Sequence, residues 1–403
     1  MTIAFLSALK DPGLRVSATA MLFFGFAGAA TGPYQSIIGI QELGLSDTSY
    51  AALMFAAAVV NVVASVMMGI VADRMGDYRS SIIYVSLFGV SGYALVYLAA
   101  NVPAFVISKL LLLPIFGALN SLIFANVRAA SGDMNPAQLV AVNSTMRATI
   151  SLSWVAVPGL VGVALAGAPS MLPAYLWAAL SALICFILAV WFLPRPQAAT
   201  GAETDARYKM LASLKEVAEP RVLLRVIAIA LIFSMLHVND AVRPLIISLK
   251  AGGSVSDIGL VIGIVAFLEI IFILFWGMSE RWLGSIAALA TGAVLYVAYM
   301  VLQGLVSETW QAYALTPLSG FAAAAIISLP ITYLQNLIAD RPGLGSSLIA
   351  VNVFLSAGLS SLVFAIGTRI GEYGFTSILG GSVGFAGIVL LILLDGKRAR
   401  TTR

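Results

Sequence analysis

The sequence predicts an all-α membrane protein. Twelve transmembrane helices form two pseudo-symmetric six-helix bundles, with N- and C-termini cytoplasmic. Three observations carry this: the composition, the number of long apolar runs, and the placement of Lys and Arg. Of 403 residues, 61% are apolar without counting glycine, and only 10% are charged. A soluble domain carries roughly 25% charge. The polar residues here could not cover the outside of a soluble globule, which excludes a soluble enzyme, a nucleic-acid-binding domain and a disordered chain. A membrane β-barrel would alternate apolar and polar residues over segments of about ten; this chain has unbroken apolar runs instead.

A spanning helix needs about 20 apolar residues. The N-terminal stretch before Val16 is too polar after Leu9 for a secretory signal. The first span is therefore uncleaved and covers 16–40, and the second, 48–72, opens on Ser46-Asp47. Spans follow at 80–100, 103–127, 138–167 and 172–193, the last stopped by Pro194 and Pro196. The polar stretch 194–220 is a cytoplasmic linker between an N-terminal bundle, 1–193, and a C-terminal bundle, 221–403. The second bundle holds spans at 222–249, 255–278, 284–304, 309–334, 344–369 and 374–394. Pro244 is expected to kink or end the seventh. The single cysteine, Cys185, sits in an apolar run and can form no intramolecular disulfide.

Cytoplasmic loops of membrane proteins are enriched in Lys and Arg. With the N-terminus inside, only Lys250 and Arg369 of the 22 Lys and Arg fall in outer loops, and only Lys109, Arg147 and Arg243 fall within spans. All the others lie on the inner side. The net charge of +4 therefore reports topology rather than a nucleic-acid partner.

The halves echo each other at an offset of about 210 residues. Pro33 matches Pro244, Ser46-Asp47 matches Ser256-Asp257, Asp73-Arg74 matches Glu280-Arg281, and Ala141-Val142-Asn143 matches Ala350-Val351-Asn352. With six spans per half, the repeat is parallel, about an axis along the membrane normal. That places a binding site near the midplane between the halves and gives access that alternates as they rock.

After the second span runs Gly69, Ile70, Val71, Ala72, Asp73, Arg74, Met75, Gly76, Asp77, Tyr78, Arg79, Ser80. It closely resembles the inner-loop signature of the major facilitator superfamily. Gly69 permits close helix approach and Gly76 a tight reversal. Asp73 can cap or pair, an interaction that can favour one conformer, while Arg74 and Arg79 hold the loop inside. A worn copy, Gly277, Glu280, Arg281 and Gly284, follows the eighth span. Met146-Arg147-Ala148 with Ser151-Leu152-Ser153-Trp154-Val155, the acidic Asp77 after Gly76, and Phe267-Leu268-Glu269-Ile270 are similar to elements of the bacterial sugar efflux transporter family. The resemblance implies a multi-pass protein of the bacterial inner membrane that exports a small solute, with sugar suspected, by proton antiport. The chain departs from the pattern in three places. The acid the family places near the end of the seventh span does not align with Asp240, whose role rests on its position alone. Val157-Pro158-Gly159 replaces Gly-Pro in the fifth span, and Lys109 is the only base within the fourth, off the family's spacing.

Ionisable side chains inside spans are costly and usually functional. Lys109, near the outer end of its span, is expected to snorkel. Arg147 and Glu269 lie near mid-span. His237, Asp240 and Arg243 are three apart and share one helix face; they form either a local salt-bridge cluster or a proton-exchange site. Glu269 is the expected main proton carrier, with Arg147 or Arg243 as its counter-charge or as a sugar ligand. Substrate hydroxyls and sugar faces would be met by Tyr34, Gln35, Asn61, Asn120, Asn143, Trp154, Asn239 and Asn352. Trp276 and Tyr333 are further stacking candidates, and Asn126, Gln335 and Asn336 further polar ones.

One histidine and one cysteine cannot build a zinc or iron–sulfur site, and no phosphate-cradling Gly-rich loop with its Lys is present. No cofactor, no metal and no enzymatic activity are expected. The expected partners are the substrate, protons and the lipid bilayer, with no nucleic acid, and the chain is expected to be a monomer. Three rival readings remain: an amphiphile or multidrug exporter of the same fold, a non-transporting membrane sensor, and an importer of the same fold.

Overall fold

The computed structural model describes residues 12–75, 77–130, 136–194, 219–337 and 342–396. Twelve helices long and apolar enough to cross a membrane run through them, and no strand occurs among the described residues. Helix α1 is Pro12–Thr31, extended by a 3-10 turn Gly32–Tyr34 and a π-turn Ile37–Glu42. Helices α2, Asp47–Met75, and α3, Tyr78–Ala99, follow. Helix α4 is segmented into Val102–Ile107, a π-turn Ser108–Leu112, Leu113–Gly117 and Leu119–Ala130. Then come α5, Pro136–Ala164, and α6, Pro173–Trp191. Helix α7, Pro220–Leu245, passes into a π-turn Ile246–Lys250. The rest are α8, Val255–Leu283; α9, Ser285–Gly304; α10, Thr316–Leu337; α11, Pro342–Ile370; and α12, Tyr373–Asp395. Most match the twelve apolar runs to within about a turn; the tenth run, 309–334, is split into a short helix Thr309–Ala314 and α10, and α8 runs five residues beyond 278. Most are apolar around their whole circumference, as expected of helices facing lipid on one side and protein on the other.

The chain divides into two compact units. Met1–Leu45 with Val59–Ala202 forms one, and Ser46–Ala58 with Glu203–Arg403 forms the other. Within the first, α1 packs on α5 and α6, and α3 packs on α6 and α4. Within the second, α7 packs on α11 and α12, and α9 packs on α12 and α10. These contacts recur, shifted by six helices, so much of the repeat legible in the sequence is a repeat of packing; the second unit adds a close α8–α10 contact that α2 and α4 do not match among the described residues.

The structure also corrects its register. The π-turns at the ends of α1 and α7 are each followed two residues later by a glycine of positive φ, Gly44 at 79° and Gly252 at 67°. A serine cap then opens the next helix: Ser46 Oγ accepts from Ser49 N at 3.2 Å, and Ser254 Oγ accepts from Asp257 N at 3.3 Å. The structural partner of Ser46 is thus Ser254, two residues before the Ser256 that the sequence matches to it. An N-cap is fixed by which hydroxyl reaches the free amides of the first turn, and letter matching does not see that.

Small residues set the closest helix contacts. A Cβ added to Gly292 of α9 would lie 2.2 Å from Ala325 Cβ of α10. Gly277, the second-half counterpart of Gly69, is open, with no atom within 4 Å of such a Cβ, so the close approach expected from that copy does not occur there. Pro244 does not end α7. The proline removes one amide donor, and the helix continues two residues later as a π-turn.

Candidate functional site

The second unit gathers four of the five expected coupling residues. Asp240 and Arg243 lie one turn apart on α7, with Arg243 Nη2 3.7 Å from Asp240 Oδ1. The Arg243 side chain is 8% exposed and that of Asp240 67%, so one partner is sunk among helices and the other is open. Glu269, half-buried on α8, interacts electrostatically with both. His237, one turn before Asp240, stacks at 5.7 Å on Phe233, and its Nε2 is buried without a hydrogen-bond partner. Asn239 is buried and accepts the Tyr299 hydroxyl of α9 at 3.2 Å. Tyr296 and Tyr299, rings 5.2 Å apart, lie against Arg243. Of the two cations expected to answer Glu269, the structure brings Arg243 to it. Arg147, exposed on α5 in the other unit, has no hydrogen bond or ion pair among the described residues.

In the first unit, Tyr34 is fully buried and its hydroxyl donates to the Pro158 carbonyl at 2.7 Å. That joins α1 to α5 and leaves no open ring face. Trp154 is 38% exposed. Its indole covers Gly28 and Gly32, where a Cβ on Gly32 would come within 2.9 Å of Cη2. Trp154 is thus packed over α1 and partly exposed. Asn61 and Asn143 are exposed, with Asn61 Oδ1 close to Gly117. Asn120 Oδ1 is buried without a partner, as is Oδ1 of Asn352 in the second unit. Trp276 and Tyr333 are committed to structure: Trp276 Nε1 donates to Phe321 O at 2.8 Å, and Tyr333 donates to Asp395.

Two features were missed. Lys109 does not simply snorkel. It sits on the α4 π-turn, half-buried, donates to Gln35 Oε1, and lies 5.9 Å over the Phe105 ring. Gln35 stands just before the α1 π-turn. The second feature is a buried triad, Arg225, Asp395 and Tyr333, joining α7, α12 and α10. No sequence spacing announces either, because each joins helices far apart in the chain.

Of the switch-loop residues, Arg79 is anchored: its guanidinium donates to the Ala189 and Val190 carbonyls at the end of α6. Asp77 caps α3, accepting Ser80 N at 3.1 Å. Partial burial works against its charge, but the Ser80 hydroxyl and amide hold the carboxyl below the usual carboxylate range. Glu280 accepts the Ser285 hydroxyl, Arg281 is exposed, and Gly284 takes the left-handed φ of a turn, 81°. The side chains of Asp73 and Arg74, with Gly69 and Gly76, lie outside what is described. Among the described residues no cluster of His, Cys, Asp and Glu could hold a metal.

Two packed six-helix repeats, with charged groups inside the spans, define a secondary transporter of the membrane. The chain belongs to the Major Facilitator Superfamily, whose model matches residues 17–361. It is similar to a putative sugar efflux transporter of Deinococcus radiodurans, 26% identical over 361 residues, 88% of this chain and 90% of that one. It is also similar to sugar efflux transporter A of Dickeya chrysanthemi, 28% identical over 375 residues, 89% and 91% of the two chains. Solved structures share the fold at low identity. A peptide transporter of the POT type in complex with sulfate has a TM-score of 0.77 at 15% identity, covering 96% of this chain and 94% of that one. A nucleoside transporter has 0.77 at 14%, covering 95% and 100%.

Proposed function

We propose that this transporter exports a sugar, or a closely related small polar solute, from a bacterial cell across the inner membrane in exchange for protons. Access alternates between the two sides, and both termini are cytoplasmic. The observation that carries the proton coupling is the arrangement of Asp240, Arg243 and Glu269 in the second unit. Arg243 pairs with Asp240 at 3.7 Å, and Glu269, on a different helix, interacts electrostatically with both. A carboxylate in a low-dielectric setting holds its charge only while a cation is near. A movement that shifts Arg243 from one carboxylate to the other therefore lets a proton on or off. Glu269 is the main proton carrier in this reading, Asp240 exchanges with the outer side, and His237 tunes Asp240 from one turn away. The names of the two relatives support the sugar. Exposed Trp154, Gln35 with its Lys109 partner, Asn61 and Asn143 supply the ring face and hydrogen-bonding groups a sugar needs.

The test is transport in everted vesicles with a panel of labelled sugars, with and without an imposed pH gradient. Wild type should accumulate at least one sugar only when the gradient is present. Glu269→Gln should lose that dependence while still exchanging sugar for sugar. Gradient-driven transport by Glu269→Gln at wild-type rate would sink the role of Glu269. Movement of a hydrophobic dye with no sugar transported would sink the substrate class.

A further inference from the structure

Arg243 has a second, hidden side. Beside it, in the second unit, lies a small pocket with about 10 Å³ of room for a water-sized sphere. That is the size at which an internal cavity holds a single water. Its wall includes Ile246, Ile247, Val261 and Val306, and into it face Arg243, Tyr299 and Gln303. Gln303 of α9 is 4% exposed and Arg243 7%. Arg243 Nε and both Gln303 amide atoms, Oε1 and Nε2, are buried with no hydrogen-bond partner. Buried polar groups are almost always paired, and the apolar part of this wall offers nothing to pair with. The backbone explains the space. Pro244 follows Arg243 directly, and the π-turn Ile246–Lys250 widens the helix just beyond it. Ile246 and Ile247, both in that turn, form one side of the cavity.

We propose that one buried water molecule binds here, accepting from Arg243 Nε–H and hydrogen-bonding to the Gln303 amide. The Tyr299 hydroxyl gives its proton to Asn239 and turns a lone pair to the same water. Gln303 is thereby a positioning residue. Through the water it fixes the Nε edge of the guanidinium, so that the Nη2 group stays aimed at Asp240. The charged and titratable groups around Arg243 are Asp240 and His237 on its own helix, Glu269 on α8, and Tyr296 and Tyr299 on α9. Tyr50 of α2, in the same unit, faces Asp240. Gln303 is neutral and lines the cavity with Arg243, so in this proposal it moves the cluster only by holding the guanidinium still.

The experiment combines a structure of the full-length protein at about 2 Å with transport pH profiles, for wild type, Gln303→Leu and Gln303→Asn. Wild type should show solvent density bonded to Arg243 Nε and the Gln303 amide. Gln303→Leu should lose that density, let the guanidinium drift from Asp240, and shift the pH midpoint of transport by about half a unit or more, a roughly threefold change in proton affinity. Gln303→Asn keeps an amide and should keep both the water and the midpoint. Wild-type Gln303 and Arg243 bonded directly to each other, with no density between them, would overturn the proposal. So would a Gln303→Leu variant that folds and keeps the wild-type midpoint. The pH readout rests on the proton-antiport reading. The density and the guanidinium position do not, so a transporter indifferent to pH would defeat that reading and leave the water to be decided by the maps.

Discussion

Asp395 stands at the last residue of α12 and receives three hydrogen bonds from two other helices. Arg225 Nε donates to Oδ2 at 2.8 Å and Nη2 to Oδ1 at 2.5 Å, while the Tyr333 hydroxyl donates to Oδ2. The side chains are 14% exposed for Arg225 and 6% for Asp395. Replacing Asp395 with Asn removes the charge and strands the guanidinium. Breaking one partner of a buried pair costs about 3–5 kcal/mol. Here an open cavity of about 620 Å³, lined by Arg225, Tyr333 and Asp395, admits water to the stranded group, so the cost should be nearer about 2–3 kcal/mol. At roughly 2–4 °C per kcal/mol for a unit of this size, the melting temperature should fall by about 5–10 °C. The assay is size-exclusion chromatography with fluorescence detection after heating, on the full chain in detergent. Arg225→Gln combined with Asp395→Asn should recover most of the loss, because two amides can pair where one amide and one guanidinium cannot. A single Asp395→Asn variant melting within about one degree of wild type, or a double variant whose losses simply add, would refute the reasoning.

Three further outcomes are expected, the melting changes read in the same assay and, on the proposed sugar export, the sugar effects read in the vesicle transport assay. Asp77→Ala should cost about 1 kcal/mol at neutral pH by uncapping α3. Because the Asp77 carboxyl is held below its ordinary range in the folded state, its contribution is whole above the unfolded value and fades as pH falls through the folded one; the gap from wild type should close in acid. Gly292→Val pushes a side chain into Ala325, 2.2 Å from the first added carbon, and should cost about 1–3 kcal/mol, whereas Gly277→Ala, with open space around it, should melt like wild type. Tyr34→Phe should lower stability by about 1 kcal/mol with sugar affinity unchanged, and Trp154→Ala should weaken sugar binding with little loss of stability; the reverse pattern would exchange the roles given to these two rings.

The helices were legible because the bilayer imposes one rule on every span. Each backbone amide must be satisfied inside its own helix, and about 20 apolar residues must cover the thickness. The charge cluster on α7 was legible too, since residues three apart share a face whatever they pack against. The surroundings of Glu269 were not. Arg147 and Arg243 are equally cationic in the sequence, and only the fold puts Arg243 within electrostatic reach of Glu269, while its ion pair goes to Asp240. Lys109 shows the same limit: its distance from the end of its span suggested snorkelling, but a Gln35 acceptor on another helix holds it instead.

By itself, then, the sequence determined the medium, the number of crossings, the internal repeat and the short roll of charges costly enough to need a reason. Those properties depend on composition and on neighbours along the chain. Tertiary structure decided the true register of the repeat, set by serine caps and positive-φ glycines, and which rings stay open and which are spent on hydrogen bonds. It also decided which cation answers which carboxylate, and the small polar cavity behind Arg243. These depend on contacts between helices far apart in sequence, whose faces are chosen by packing at small residues such as Gly292 and by the π-turns that rotate the chain beyond Pro244.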